Sequence, residues 1–373
     1  MNIQHTVFSV PGDIREDFFA ATSTPGTDFA SEAADLLQAY DESIKTFSCS
    51  QDSEILLRFH LSDITNQAAV LQKLLHGRLS FISMVGQPPA DGSRLALEAW
   101  HWSDVKKLLS SDKSTLQATG SNYRAVWFQI PELTSCGSFD QTAEEFRQLQ
   151  ACLQQHKANV ADHTVRTWLY NRDVDNNYAG LVKARNEFFR QINLTADTHF
   201  IASTGIEAQH AAVNRLVKMD SLSYPDLQTG QMQYLTAPEM LSPTALYGVS
   251  FERGTRLIFG DRSHYFISGT ASIDKAGMVV HINDVKKQTV RMMDNIEALL
   301  AAGGAHASDI VSGTLYLRDL ADAHAVKSII AERWGDRIPL VTVKAPVCRP
   351  TWLVELECLA INSCGNKKYP PLC

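Results

Sequence analysis

The sequence predicts an α+β fold made of a duplicated unit, each copy a mixed sheet with helices packed on one face. Three observations carry this. First, residues 161–189 (ADHTVRTWLYNRDVDNNYAGLVKARNEFF) align without a gap on residues 307–334 (ASDIVSGTLYLRDLADAHAVKSIIAERW), so that Val165, Leu169, Tyr170, Arg172 and Asp173 fall on Val311, Leu315, Tyr316, Arg318 and Asp319. Second, each stretch reads as a strand, an Arg-Asp turn and an amphipathic helix. Third, the flanks match in kind, giving the order β-β-α-β-α-β-β twice, and helices that follow strands beside antiparallel hairpins imply mixed sheets.

Taken in order, residues 78–102 (RLSFISMVGQPPADGSRLALEAWHW) predict a hairpin about a Pro-Pro-Ala-Asp-Gly turn, leading the first unit. Residues 144–158 predict its first helix by apolar spacing, and residues 285–305 predict the counterpart, stopped by Gly303-Gly304. The Asp of each Arg-Asp pair is read as a helix cap, since its carboxylate can accept from the free N–H groups of the first turn. The strands HFIAST (199–204) and PLVTVKA (339–345) follow the second helices, and AAVNRLVKM and WLVELECLAI close the units. YFISGTASIDKAGMVVHI (265–282) is read as the hairpin of the second unit. The division is residues 1–222 for an N-terminal domain with an arm at its start, 223–256 for a linker or active-site flap rich in Pro, Gly, Ser and Thr, and 257–373 for the C-terminal domain carrying the site. Residues 1–50 are weakly patterned and read as an extra layer or an arm.

Composition narrows the function. The 373 residues are 45% hydrophobic with a net charge of −7, which argues against a nucleic-acid surface. No apolar run is long enough to span a bilayer, and the start has neither a basic nor an apolar leader segment, so the expectation is a cytoplasmic protein with no membrane partner. The seven cysteines are scattered without a CxxC, and the twelve histidines form no HExxH, so free thiols and no metal site are expected.

The chemistry gathers in residues 345–361, APVCRPTWLVELECLAI. Pro350 predicts a turn or bulge. Beyond it, alternation places Glu355 and Glu357 on one face and Leu356 on the other. A carboxyl buried among apolar residues has a raised pKa and becomes a general acid near neutral pH; the plainer reading is an ordinary ion pair of Glu355 at a subunit interface. An arginine can hold a substrate carboxylate with two parallel hydrogen bonds; the family resemblance set out below makes Arg185, Arg337 and Arg349 the candidates. Cys348 reads as a small buried hydrophobe, not a nucleophile. Gly269 and Thr270 read as a pocket wall or a bulge, and Tyr170 and Tyr316 as core or as pocket hydroxyls. The first copy has AAVNRL (211–216) where the second has WLVELE, with no carboxylate.

On FISGTASID (266–274), QTVRMMDNIEALLAAGGA (288–305), DIVSGTLYLRDLAD (309–322) and the final strand, the C-terminal unit resembles the Rid/YjgF family, known also as endoribonuclease L-PSP or translation initiation inhibitor. On ISGTASI, WLYNRDVDNNYAGLVKAR (168–185) and VCRPTWLVELE (347–357) the chain resembles its two-domain chorismatase branch. The resemblance covers roughly residues 160–361. It departs at residues 274–277, where Asp-Lys-Ala-Gly stands, and at Arg172-Asp173. It implies two chorismate-mutase-like (YjgF-type) units, a homotrimer with sites between subunits, no cofactor, and a small anionic metabolite as partner. It implies that Glu355 is the acid, Arg185 an anchor and Cys348 a pocket residue, and that the reaction is a chorismatase-like hydrolysis releasing pyruvate. The alternatives are a Rid-type enamine or imine deaminase, in which Arg337 lies near the substrate-binding arginine, and a non-catalytic metabolite-binding oligomer.

Overall fold

A computed structural model describes the chain apart from Asp13, Thr27, Thr134, Cys373 and the side chain of Tyr247. Among the described residues, seventeen strands form three mixed sheets, each carrying helices on one face. The first unit is β1 (Asn2–Phe8), β2 (Glu16–Thr22), α1 (Phe29–Thr46), β3 (Glu54–Leu61), α2 (Ile64–Leu74), β4 (Phe81–Gly86) and β5 (Leu95–Trp102). The second is β6 (Lys106–Leu109), β7 (Thr115–Thr119), β8 (Arg124–Gln129), α3 (Gly137–Gln155), the short α4 (Val160–His163), β9 (Thr164–Asn171), α5 (Val174–Gln191), β10 (Ala202–Glu207) and β11 (Val217–Ser223). The third is β12 (Met232–Tyr234), β13 (Gly254–Ile258), β14 (Ser263–Ala271), α6 (Val285–Gly303), β15 (Ile310–Leu317), α7 (Ala323–Trp334), β16 (Leu340–Lys344) and β17 (Val354–Asn362).

The sheet orders β4-β3-β5-β2-β1, β10-β9-β11-β8-β7-β6 and β16-β15-β17-β14-β13-β12 are one topology used three times. The repeat alignment holds in space: Tyr170 pairs in parallel with Ile206 and Tyr316 with Val343, each one residue before the end of the partner strand. His60 pairs with Val85 at the same place in the first unit. Residues 1–50 supply β1, β2 and α1 to this third copy of the unit, which periodicity did not reveal.

Several local expectations change. Residues 78–102 are not a hairpin leading the second unit, because β3 lies between β4 and β5 in the first sheet. The partner of β14 is β13 before it, while Val279 makes only an isolated bridge to Ile273. Residues 211–216 precede the last strand of the second unit, which begins at Val217. Asp319 caps a 3-10 turn by accepting from Ala321 N–H at 2.9 Å. Asp173 does not cap α5; its φ is +52°, and Glu207 accepts from the Asp173 and Val174 N–H groups instead, at 2.9 and 2.5 Å.

The helix-free faces meet in one core that draws Phe18, Trp100, Trp127, Trp168, Phe266 and Leu359 from all three sheets. The ends of β4, β10 and β16 interlock through the bridges Gly86–Gln209, Ile206–Val347 and Pro89–Val343. Arg172 and Arg318, equivalent in the repeat, each clip the segment after the parallel edge strand: Arg172 donates to His210 O and Arg318 to Val347 O, both at 2.6 Å. Clefts between units therefore arise within one chain.

Candidate active site

A cleft between the second and third units holds a cavity of about 550 Å³. The second unit supplies α5 and β10; the third supplies β14, β17, the turn after β16, and the residue 248–253 end of the strap that leads into β13. The expected Glu355, Arg185, Arg349, Cys348 and Gly269 all line it.

Alternation along β17 turns Glu355 and Glu357 inward together. Their surroundings then separate them. Glu357 accepts from Arg166 Nη2 at 2.6 Å and from Trp168 Nε1 at 2.7 Å, both on β9 of the neighbouring unit. Within the chain, the buried ion pair across the unit boundary is made by Glu357. Glu355 is 6% exposed, has no hydrogen bond to a described residue and faces the cavity. Burial, and then the carboxylate of Glu357, push its pKa up to about 8, although Arg166 and Arg253 pull the other way. It is therefore protonated at neutral pH and able to give a proton.

The neighbouring backbone is shaped to it. The register between β14 and β17 slips between Ile267 and Thr270, so the glycine is both bulge and wall. A Cβ at residue 269 would collide with Glu355 Oε1. Gly269 N–H donates to Thr204 Oγ1 at 2.9 Å, which also accepts from Arg166 at 2.5 Å. Glu357, Arg166, Thr204 and Gly269 thus form a continuous brace across the unit boundary beneath Glu355.

In the rest of the wall cationic residues stand among apolar ones such as Val182, Phe251, Ile273 and Trp352. Arg185, 1% exposed on α5, has no hydrogen-bond partner for Nε or Nη2 among the described residues. A guanidinium buried with free donors is costly unless an anion completes it. Arg349 donates to Gly277 O at 3.0 Å and packs over Trp352, 4.8 Å from the ring centre. Arg253 from the strap, with Lys183 and Arg190 from α5, completes the lining. Burial pushes the Cys348 thiol up to about 12, against the hydroxyl of Tyr178, so it is a wall and not a thiolate.

Four expected residues lie elsewhere. Thr270 is buried and donates to Ser268 O at 2.9 Å. Tyr170 and Tyr316 are fully buried in the central core. Arg337 is exposed and donates to the carbonyls of Ala307, Ser308 and Ile310. The sequence reading missed Arg253, Tyr178, Thr204 and Arg166. For Arg166 a signal exists: it alternates with Trp168 and Tyr170, so it shares their inward face.

Comparison with known proteins fits this geometry. The Endoribonuclease L-PSP family matches residues 260–362. A RutC family protein of Pyrococcus horikoshii is 35% identical over 97 residues, covering 26% of this chain and 76% of the relative. The chain belongs to the RutC family. A second member, the 3-aminoacrylate deaminase RutC of Acinetobacter baylyi, is 28% identical over 96 residues, again 26% of this chain and 76% of that protein. These matches each span about a quarter of this chain. The whole is similar to the crystal structure of a chorismatase, with a TM-score of 0.65 and 18% identity, covering 95% of this chain and 99% of that one. The fold is therefore chorismatase-like, in the Rid/YjgF superfamily. Among the described residues, no helix is long and apolar enough to cross a membrane.

Proposed function

We propose that the chain is an enzyme that hydrolyses the enolpyruvyl ether of a small carboxylate-bearing metabolite, chorismate or a relative, and releases pyruvate. The observation that carries this is a neutral carboxyl, Glu355, facing a cation-lined cavity that contains an unpartnered guanidinium, Arg185. Glu355 gives its proton to the methylene carbon of the enol ether. The resulting oxocarbenium ion takes up water, whose proton returns to the Glu355 carboxylate. The hemiketal then breaks its bond to the ring oxygen, leaving an alcohol and pyruvate. Arginines hold the substrate carboxylates while the low-polarity wall keeps Glu355 protonated between turnovers. The chemistry asks for a proton donor, water and an anchor, all of which this cavity can supply without a cofactor.

The test is pyruvate release from chorismate by the purified chain, with Glu355→Gln and Arg185→Ala beside it. Release that Glu355→Gln abolishes supports the assignment; release unaffected by Glu355→Gln sinks the role of that residue. A second reading is favoured by the RutC relatives: an imine or enamine deaminase in which Glu355 positions water on the imine carbon. Ammonia release from 3-aminoacrylate, with no pyruvate from chorismate, would select it. An open 550 Å³ cavity also fits a metabolite-binding protein without turnover, which binding without product in both assays would identify.

A further inference from the structure

The strap between the second and third units walls two hollows. Beyond the Glu355 cavity, a groove of about 310 Å³ lies between residues 234–253 and the loop joining α5 to β10. Phe251 and Arg253 line both spaces, so one layer of side chains divides them. The groove is faced by Phe200, Tyr234, Leu241, Pro243 and Ala245. The charges beside it are occupied: Glu252 accepts from Phe200 N–H at 2.7 Å, and Arg253 donates to Ser242 O at 3.1 and 3.3 Å. Ser242 Oγ is different. The residue is 1% exposed, lines the groove, and its hydroxyl has no hydrogen-bond partner among the described residues. A hydroxyl buried without a partner is destabilising, and a ligand oxygen or nitrogen arriving there would satisfy it.

We propose that this groove is a second compartment of the site, which takes an uncharged aromatic or aliphatic portion of the substrate while the arginines of the main cavity hold its carboxylate. The inference rests on reading the main cavity as a carboxylate site. It assigns substrate selection to the strap: Phe251 is the partition, Ser242 the polar contact, and the apolar residues the surface that an extended substrate buries. A substrate ending at the partition would gain nothing from the groove.

The experiment is a binding series of ω-phenylalkanoates, from benzoate to 5-phenylpentanoate, measured by calorimetry on the full chain. The expected result is an affinity that rises by about tenfold once the phenyl ring passes the partition, the size of effect that partial burial of a ring gives. Ala245→Trp, at an exposed position on the groove wall, should remove that rise and leave benzoate unchanged; Ala237→Trp, also in the groove lining, is the second variant. A rise that survives both variants overturns the inference, as does a flat series or one in which no member binds. Benzoate binding is the separate reading of the main cavity: if Arg185→Ala abolishes it while the series is flat, the carboxylate site stands and the groove falls.

Discussion

The last strands of the second and third units occupy the same place in the same topology and carry opposite chemistry. Across the antiparallel ladder, Tyr316 faces Glu355, Tyr170 faces Lys218, and His60 in the first unit faces Ala96. Two residues on stand Glu357, Asp220 and Glu98. Only in the third unit do two carboxyls sit together. In the second, Lys218 pairs with Asp220 and donates to Ser83 Oγ at 2.7 Å, and Ser83 donates to Asp220 at 2.5 Å, so the first-unit strand β4 is tied to β11. Between the third and first units, where Ala96 stands at the Glu355 position, the corresponding hollow is only about 130 Å³. One backbone thus yields a cavity of about 550 Å³, a boundary tied by Lys218, Asp220 and Ser83, and a hollow of about 130 Å³. Between the first two, the difference lies in whether the inward charge at one register position finds an internal partner. A charge that finds one becomes structure, and a carboxyl that does not is left for chemistry.

The strongest way to break this comparison is to remove the unpartnered carboxyl. Glu355→Gln keeps the shape and loses the proton, and positioned general acids contribute roughly 10² to 10⁴ in rate, so kcat should fall by about 10³ with KM little changed. The same logic fixes the pH dependence. Glu355 must be protonated and titrates near 8, so kcat/KM should hold on the acid side and fall tenfold per pH unit above about 8. A profile still rising at pH 9 would mean that another group gives the proton.

The converse change tests the sealed boundary. Lys218→Met leaves Asp220 buried with only Ser83 as a close hydrogen-bond donor and Arg58 at 3.7 Å. Breaking one side of a buried pair typically costs about 3 kcal/mol or more. Urea unfolding should show that loss, with the Glu355 cavity unaffected when probed by carboxylate binding. An unchanged midpoint would show that the pair contributes nothing to holding the first and second units together.

How much of this contrast the sequence disclosed follows from how local each signal is. The alternation of WLVELE fixes Glu355 and Glu357 on one face, and the ungapped repeat fixes Tyr170 opposite Tyr316, because period-two patterns and short repeats are contained in contiguous residues. Arg185, Cys348, Arg349 and Gly269 were reached through the family pattern. The partner of Glu357 was not legible: Arg166 is 191 residues away in sequence, and its pairing depends on how two sheets meet. The first copy of the unit escaped notice because the position that holds Tyr170 and Tyr316 in the other two holds His60 here. The 211–216 stretch misled because its apolar residues fall in the turn that precedes β11.

A smaller effect sharpens the idea that a carboxyl reserved for chemistry is held at a cost to the fold. Glu355 titrates near 8 folded and near 4.5 unfolded. Its raised pKa means that the folded state keeps a proton the unfolded chain releases; the group's favourable contribution is complete below pH 4.5 and is lost progressively up to pH 8. Glu355→Gln should therefore lie about 1 kcal/mol below the wild type near pH 4.5, the cost of a buried amide, and exceed it by about 2 kcal/mol at pH 7, since the wild type loses on the order of 1.4 kcal/mol per pH unit between the two. An equal difference at both pH values would mean that the carboxyl is not held in its neutral form.

The smallest expected effect concerns Arg337, the arginine that the family resemblance nominated beside Arg185. Its guanidinium reaches three backbone carbonyls around residues 307–310, on the surface and outside the cavity, so it steadies the turn that leads into β15. Arg337→Ala should cost about 1 kcal/mol in stability, as for a modest set of exposed hydrogen bonds, and leave kcat/KM within about twofold. Arg185→Ala should instead raise KM sharply at unchanged stability, or with some gain, because an unpaired buried cation is removed. The two arginines differ by their partners: one has spent its donors on the chain and the other has kept them. A large loss of activity in Arg337→Ala would place the substrate outside the Glu355 cavity and undo the contrast between the second and third units on which the site rests.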